Sequence, residues 1–251
     1  MSTDIKCWIC GKTADSAEHQ IKATDMRAAF PNVDQQNNPL YLQKFGSLKK
    51  PMLVGSIKRN DHLKYSKSLC TTCNTTLTQD HDLCYEWFSK YLRNISPIPK
   101  KGGTVRGNRI FRGYTKRKIQ ITTRDCLLAV HLFFLKQLGC NIIENSYNIN
   151  VSELANAIKK SIAHPNVFLS INYVPTVIRQ NALLAPSSAF GEYQRKKLGH
   201  LHYNAGRCNF GTLDVLINIA YVEGAIRPGQ YFWHPSDYST KLVCGEHSGM
   251  T

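Results

Sequence analysis

Apolar residues recur along this chain with two different periods. In NTTLTQDHDLCYEWFSKYLRNI, residues 74–95, the positions Leu77, Cys84, Trp87, Phe88, Tyr91 and Leu92 fall at helical spacing and predict one buried face. CLLAVHLFFLKQLG, residues 126–139, is apolar almost throughout but is interrupted by His131 and Lys136. It reads as a core helix and not as a membrane span. Thr123 suits its N-cap and Gly139 its left-handed C-terminal position. VSELANAIKKSI predicts a further helix, capped by Asn150 or Ser152. Beyond it, VFLSINYV, LGHLHYN, LDVLINIAYV and KLVCG are rich in β-branched and aromatic residues and predict strands. Helices and strands so distributed make the chain α+β.

Three stretches follow from this pattern. Residues 1–95 carry the cysteine motifs and end in the first helix, with a long polar loop or insertion at 31–62 that includes PNVDQQNNP. Residues 96–120 are broken by proline and glycine and read as a linker. Residues 121–251 form a mixed α+β accessory domain. At 251 residues the chain has ample length for a buried core.

Charge changes the picture most. Thirty-two Lys and Arg face 17 acidic residues, a net charge of +15, which favours a polyanionic partner through counterion release. The linker concentrates that excess. Lys100, Lys101, Arg106, Arg109, Arg112, Lys116, Arg117 and Lys118 occur with no acid among them and with Phe111 and Tyr114 interleaved. Cations that track phosphates, and rings for packing or stacking, point to a nucleic-acid-contacting segment, with a solvated linker as the alternative. EYQRKKLGHLHYNAGR is a second basic patch with tyrosines, which extends the same footprint.

The N-terminus, MSTDIKCWICGK, lacks an extended apolar core, so a cytoplasmic protein with no membrane contact is expected. Nine cysteines in that setting argue against a disulfide framework. Cys126 and Cys140 read as small buried hydrophobes. Cys7/Cys10 and Cys70/Cys73 form two C-x-x-C pairs, with Cys10 and Cys70 60 positions apart. A redox dithiol is one reading of a single pair. Two pairs supply four soft ligands, which suits a closed tetrahedral structural zinc. The first pair sits in CWICG, where Gly11 can take a positive φ, and the second in CTTCN at the start of a helix. Knuckle, hairpin, then a knuckle opening a helix is the order of a treble clef.

Glu18 and His19 follow the first knuckle, and Asn74 follows the last cysteine. With CWIC, EHQIKA and CTTCN in this order, the first 95 residues resemble the HNH endonuclease family in its cysteine-bearing ββα-metal form. The resemblance implies a metal-dependent endonuclease that hydrolyses phosphodiester bonds in DNA. His19 would be the general base, and Glu18 and Asn74 the ligands of a catalytic Mg²⁺ or Mn²⁺. It implies cleavage of one strand per centre, so that a double-strand break takes a homodimer or two visits, and restriction or defence as a natural setting. The family's middle Asn or His has no clear match; Asn60 and His62 are the nearest.

Thr78, His81 and Asp82 follow Asn74 at offsets of four, seven and eight, on about one helical face. Asp82, then His81, are candidates to hold His19 or a metal ligand in place; a solvated polar face is the alternative. His131 reads as a packed core residue, His164 as turn chemistry, and the His200/His202 pair as polar-face decoration. A non-catalytic zinc module that binds nucleic acid, with Glu18 and His19 as surface residues, is the alternative function. A zinc-scaffolded protein-interaction domain is a third, disfavoured by the charge.

Overall fold

In the computed structural model, the structure describes residues 5–31, 36–37, 39–44, 52–54, 61–95, 99–100, 102–116, 119–173, 182–185, 194–198, 201–211 and 215–245. The chain is α+β, a mixture of helices and small sheets with four cysteines clustered near its N-terminus.

Backbone pairing organises the first 80 residues. A tight turn at 7–12 closes with Cys7 N–H donating to Lys12 O at 2.7 Å, and Gly11 takes φ +77° as the turn demands. Residues 16–20 then pair with 63–69. Ser16 bridges Leu69 and His19 bridges Lys64, with Tyr65 N–H donating to Glu18 O at 2.9 Å and Gln20 N–H to Leu63 O at 2.8 Å. Between the paired segments lie α1 (Ala23–Ala29), β1 (Leu40–Lys44) and β2 (Met52–Val54), the last two forming strands within the expected polar loop or insertion.

A widened helical turn, Thr72–Leu77, leads into α2 (Gln79–Asn94). Cys84, Phe88 and Leu92 are buried on it as the periodicity predicts, but Leu77 and Trp87 are exposed. The widened turn accounts for Leu77, because an extra residue per turn moves it off the face set by α2.

Segment 96–120, expected as a linker, does not run free. Within it β3 (Thr104–Arg106) pairs with a strand near the C-terminus, and α3 (Gly107–Ile110) packs on α2. Val105, Ile110 and Phe111 are buried. A two-stranded ribbon follows, β4 (Thr115–Lys116) with β5 (Ile119–Gln120).

The centre of the molecule is α4 (Thr123–Glu144), which packs against α2 and α5 (Val151–Lys160). It has the length and apolar composition of a membrane span. Here it is buried on nearly every side, as a helix apolar all round must be in a folded core. Its N-cap is Thr122, one residue before the expected Thr123, in a capping box with Asp125. It does not stop at Gly139 but continues to Glu144. Gly139 is there because the ring of Trp8 crosses the helix at that point; a Cβ would lie 2.3 Å from a ring carbon. Asn150 caps α5, with its side chain accepting from Ser152 N–H.

The predicted strands form β6 (Val167–Tyr173), β9 (Leu201–Gly211), β10 (Val215–Val222) and β11 (Lys241–Val243); two further strands are β7 (Ala182–Ala185), which joins β1, and β8 (Gln194–Leu198), which lies in the second basic patch. An antiparallel sheet of order β6-β10-β9-β8 has Ile219 opposite Leu169 and Cys208. β11 pairs with β3. One hydrophobic cluster runs from Cys7 and Ile9, through Phe88 and α4, to Ile219, Leu242 and Cys244. Residues 1–95 and 121–251 therefore share a core.

Candidate metal centre and polar cluster

The four cysteine sulfurs, from Cys7, Cys10, Cys70 and Cys73, lie within 4.8 Å of one another. Cys10 Sγ is 3.5 Å from Cys70 Sγ. Four sulfurs held at ~2.3 Å from one zinc ion lie roughly 3.8 Å apart, so the set fits a tetrahedral metal ion such as zinc. Cys73 N–H points at Cys70 Sγ from 3.4 Å, and Asp15 fixes the second knuckle by accepting from Thr71 N–H at 2.6 Å. Burial pushes the Cys7 and Cys73 thiols up, whereas the backbone N–H of Lys12 draws the exposed Cys10 down to about 7. Cys126 and Cys140 are buried in the core, as small hydrophobes.

Beside this cluster two of the expected reaction-centre residues, Glu18 and Asn74, converge. Asn74 Nδ2 donates to Ser16 Oγ at 2.9 Å, which joins the helix start to the strand bearing Glu18 and His19. Glu18 is 4% exposed, and His19 is half-buried. Asn74, Thr78 and Asp82 share one face, as their offsets predict. His81, next to Asp82, is buried.

What they converge on is the ammonium of Lys136, which reaches in from the middle of α4 and is 0% exposed. Its Nζ lies 2.9 and 3.0 Å from the two Asp82 oxygens, 3.0 Å from Glu18 Oε2, 3.2 Å from Thr78 Oγ1 and 3.4 Å from Asn74 Oδ1. Gln137 Nε2 donates to the other Glu18 oxygen at 3.2 Å. Lys22 Nζ stands at the rim, 2.8 Å from Asp82 Oδ1 and 3.9 Å from Glu18 Oε1. Burial alone would depress the Lys136 ammonium; Glu18 and Asp82 outweigh it and leave it raised.

Two carboxylates thus face two ammonium groups, and the cluster is neutral. A Mg²⁺ or Mn²⁺ ion would need oxygens at ~2.0–2.1 Å that already accept hydrogen bonds, and would add two positive charges to a balanced set. With Lys136 in place, Glu18 and Asn74 do not fit a divalent ion.

Lys136, Lys22 and Gln137 were not expected at this site. The signal was present, since a lysine inside an apolar helix must be paired when buried. A second buried network adjoins it. Asp25 on α1 accepts from Tyr85 at 2.5 Å, Ser89 at 2.7 Å and Arg93, which fastens α1 to α2.

The basic residues lie elsewhere on the surface. Lys100, Arg106, Arg109 and Arg112 are exposed. Lys116 belongs to β4, while Lys101, Arg117, Lys118, Asn60 and His200, and the side chains of His62 and His202, lie outside the described residues. Phe111 is buried and Tyr114 half-buried, so these rings serve packing. A ring left accessible is Trp87, 38% exposed, held by its N–H to Ile110 O at 2.6 Å and edge-on to Tyr114. With Lys90, Tyr91, Arg109 and Arg112 it lines an open groove of about 650 Å³ with no acid among the described lining residues, next to a second groove, sharing Trp87 and Lys90, that Asp80 and Glu86 line.

No family model, curated protein or solved structure matches this chain.

Proposed function

We propose that this chain is an HNH-type endonuclease acting on DNA, built on a zinc-stabilised treble clef. The observation that carries the reading is the meeting of Glu18, the His19 strand and Asn74 beside the four-cysteine cluster. The order of knuckle, paired strands, second knuckle and helix supports it. In this reading the neutral imidazole of His19 takes a proton from water as the water oxygen attacks phosphorus. The bond from phosphorus to the 3′-oxygen breaks, and that oxygen leaves as a hydroxyl after taking a proton from solvent. Fixed positive charge near the phosphate stabilises the transition state. The groove at Trp87 supplies cations for phosphates and a ring for a base.

A non-catalytic, zinc-stabilised nucleic-acid-binding protein is the second reading. It is favoured by the neutrality of the Glu18–Asp82–Lys22–Lys136 cluster. Nicking of supercoiled plasmid separates the two. The enzyme reading expects cutting by the wild type and loss of cutting in His19→Ala with fold and zinc content retained. Unchanged cutting by His19→Ala would remove the proposed base. Salt-dependent DNA binding with no cutting under any ionic condition would establish the second reading.

A further inference from the structure

From the contacts of Lys136 we infer that its ammonium is the resident cation of this centre, in the position a divalent ion was expected to take. The inference deepens the nuclease reading and rests on it for its catalytic meaning alone. The contacts are those an ammonium wants. Three N–H donors are met at hydrogen-bonding distance by Glu18, Asp82 and Thr78, with the Asn74 carbonyl oxygen 3.4 Å away. Accepting oxygens from the strand, the widened turn and α2 all face one point, and α4 delivers a charge to it from a fully buried position.

The rim is cationic as well. Lys22 bonds to Asp82, and its side chain is 15% exposed where that of Lys136 is not exposed at all. Lys22 is therefore the group placed to meet a phosphate oxygen, and Lys136 is a positioning residue that holds Glu18, Asn74 and Asp82 in register behind it. Hydrolysis on this arrangement proceeds without added Mg²⁺ or Mn²⁺, the cysteine-bound metal remaining structural.

Mn²⁺ titration followed by electron paramagnetic resonance tests the site without reference to activity. Zinc-loaded wild type should show no tight Mn²⁺ site. Lys136→Met should gain Mn²⁺ affinity by at least about tenfold, because the cluster passes from neutral to singly negative. Plasmid nicking in chelating-resin-treated buffer, with zinc content checked, should be unchanged by omission of Mg²⁺. Stoichiometric Mn²⁺ binding by the wild type that Glu18→Gln abolishes would overturn the inference even if Lys136→Met failed to fold. So would cutting that occurs only with Mg²⁺ or Mn²⁺, which would uphold the nuclease reading. An absence of cutting in every buffer, with no Mn²⁺ bound, would reject the nuclease reading and leave Lys136 as the cation.

Discussion

Replacing Lys136 with methionine keeps most of the side-chain volume and removes the charge together with the N–H donors that serve Glu18, Asp82 and Thr78. Glu18 and Asp82 then face Lys22 alone, so the buried cluster carries one uncompensated negative charge. Removing one partner of a buried pair costs about 3–5 kcal/mol, because the other stays desolvated and unpaired. Glu18→Gln leaves the opposite imbalance, with two lysines against Asp82. It should cost somewhat less, since Lys136 keeps both Asp82 oxygens at 2.9 and 3.0 Å. The double variant removes one charge of each sign. Lys22 and Asp82 remain paired at 2.8 Å, and Gln137 still has an oxygen at position 18 to donate to. Its loss should therefore fall short of the sum of the single losses by about 2–3 kcal/mol. Urea denaturation of zinc-loaded protein, followed by circular dichroism, measures all four corners of the cycle. Additivity within about 0.5 kcal/mol would refute the claim that these groups act as one neutral unit.

Other perturbations probe separate features. Cys70→Ser should lose the bound metal and destabilise the shared fold, seen as lost zinc content and a lowered melting transition, because structural zinc contributes folding free energy directly. Gly139→Ala gains about 1 kcal/mol in helix propensity but drives a methyl into the Trp8 ring, at about 1–3 kcal/mol for overpacking; a lower melting temperature with altered tryptophan fluorescence is expected. His164 is held down at about 4, chiefly by burial and then by His234, so its contribution is fully present above pH ~6.5 and is lost as pH falls toward 4. The total is about 3 kcal/mol, and a pH-melting profile flattened over that window in His164→Asn checks it. Trp87→Ala should weaken single-stranded DNA binding by about 1–3 kcal/mol, whereas Arg109→Ala with Arg112→Ala should reduce the salt slope, both measured by fluorescence anisotropy.

The four cysteines, the paired strands and the helix after Cys73 were legible because their signals are local: fixed spacing, a glycine in a tight turn, a helical period. β6 and β10 were legible from their β-branched runs, whereas β8, QRKKL, carries only a basic pattern and reads as a strand only once it pairs with β9. What escaped depends on distant contacts. Gly139 looks like a helix end until Trp8 is seen across it. Glu18 and Asn74 look like metal ligands until Lys136 arrives from a helix remote in sequence. The aromatic rings of 96–120 pack inward, and Trp87, periodic with the buried face of α2, keeps 38% of its surface open although its N–H reaches Ile110 and its ring meets Tyr114. In each case tertiary packing decided between two locally equivalent readings.

The reach of α4 has one more consequence. The same helix that presses Gly139 against Trp8 also delivers the charge that neutralises Glu18 and Asp82. Each half of the chain then depends on the other for part of its core and for its charge balance. The cysteine-bearing half leaves the ribosome first, with two carboxylates awaiting a counter-charge that has not yet been translated. Cut between α2 and β3, the two pieces should be inert and poorly soluble apart, yet should reassemble when co-expressed, a natural pair for split-protein complementation.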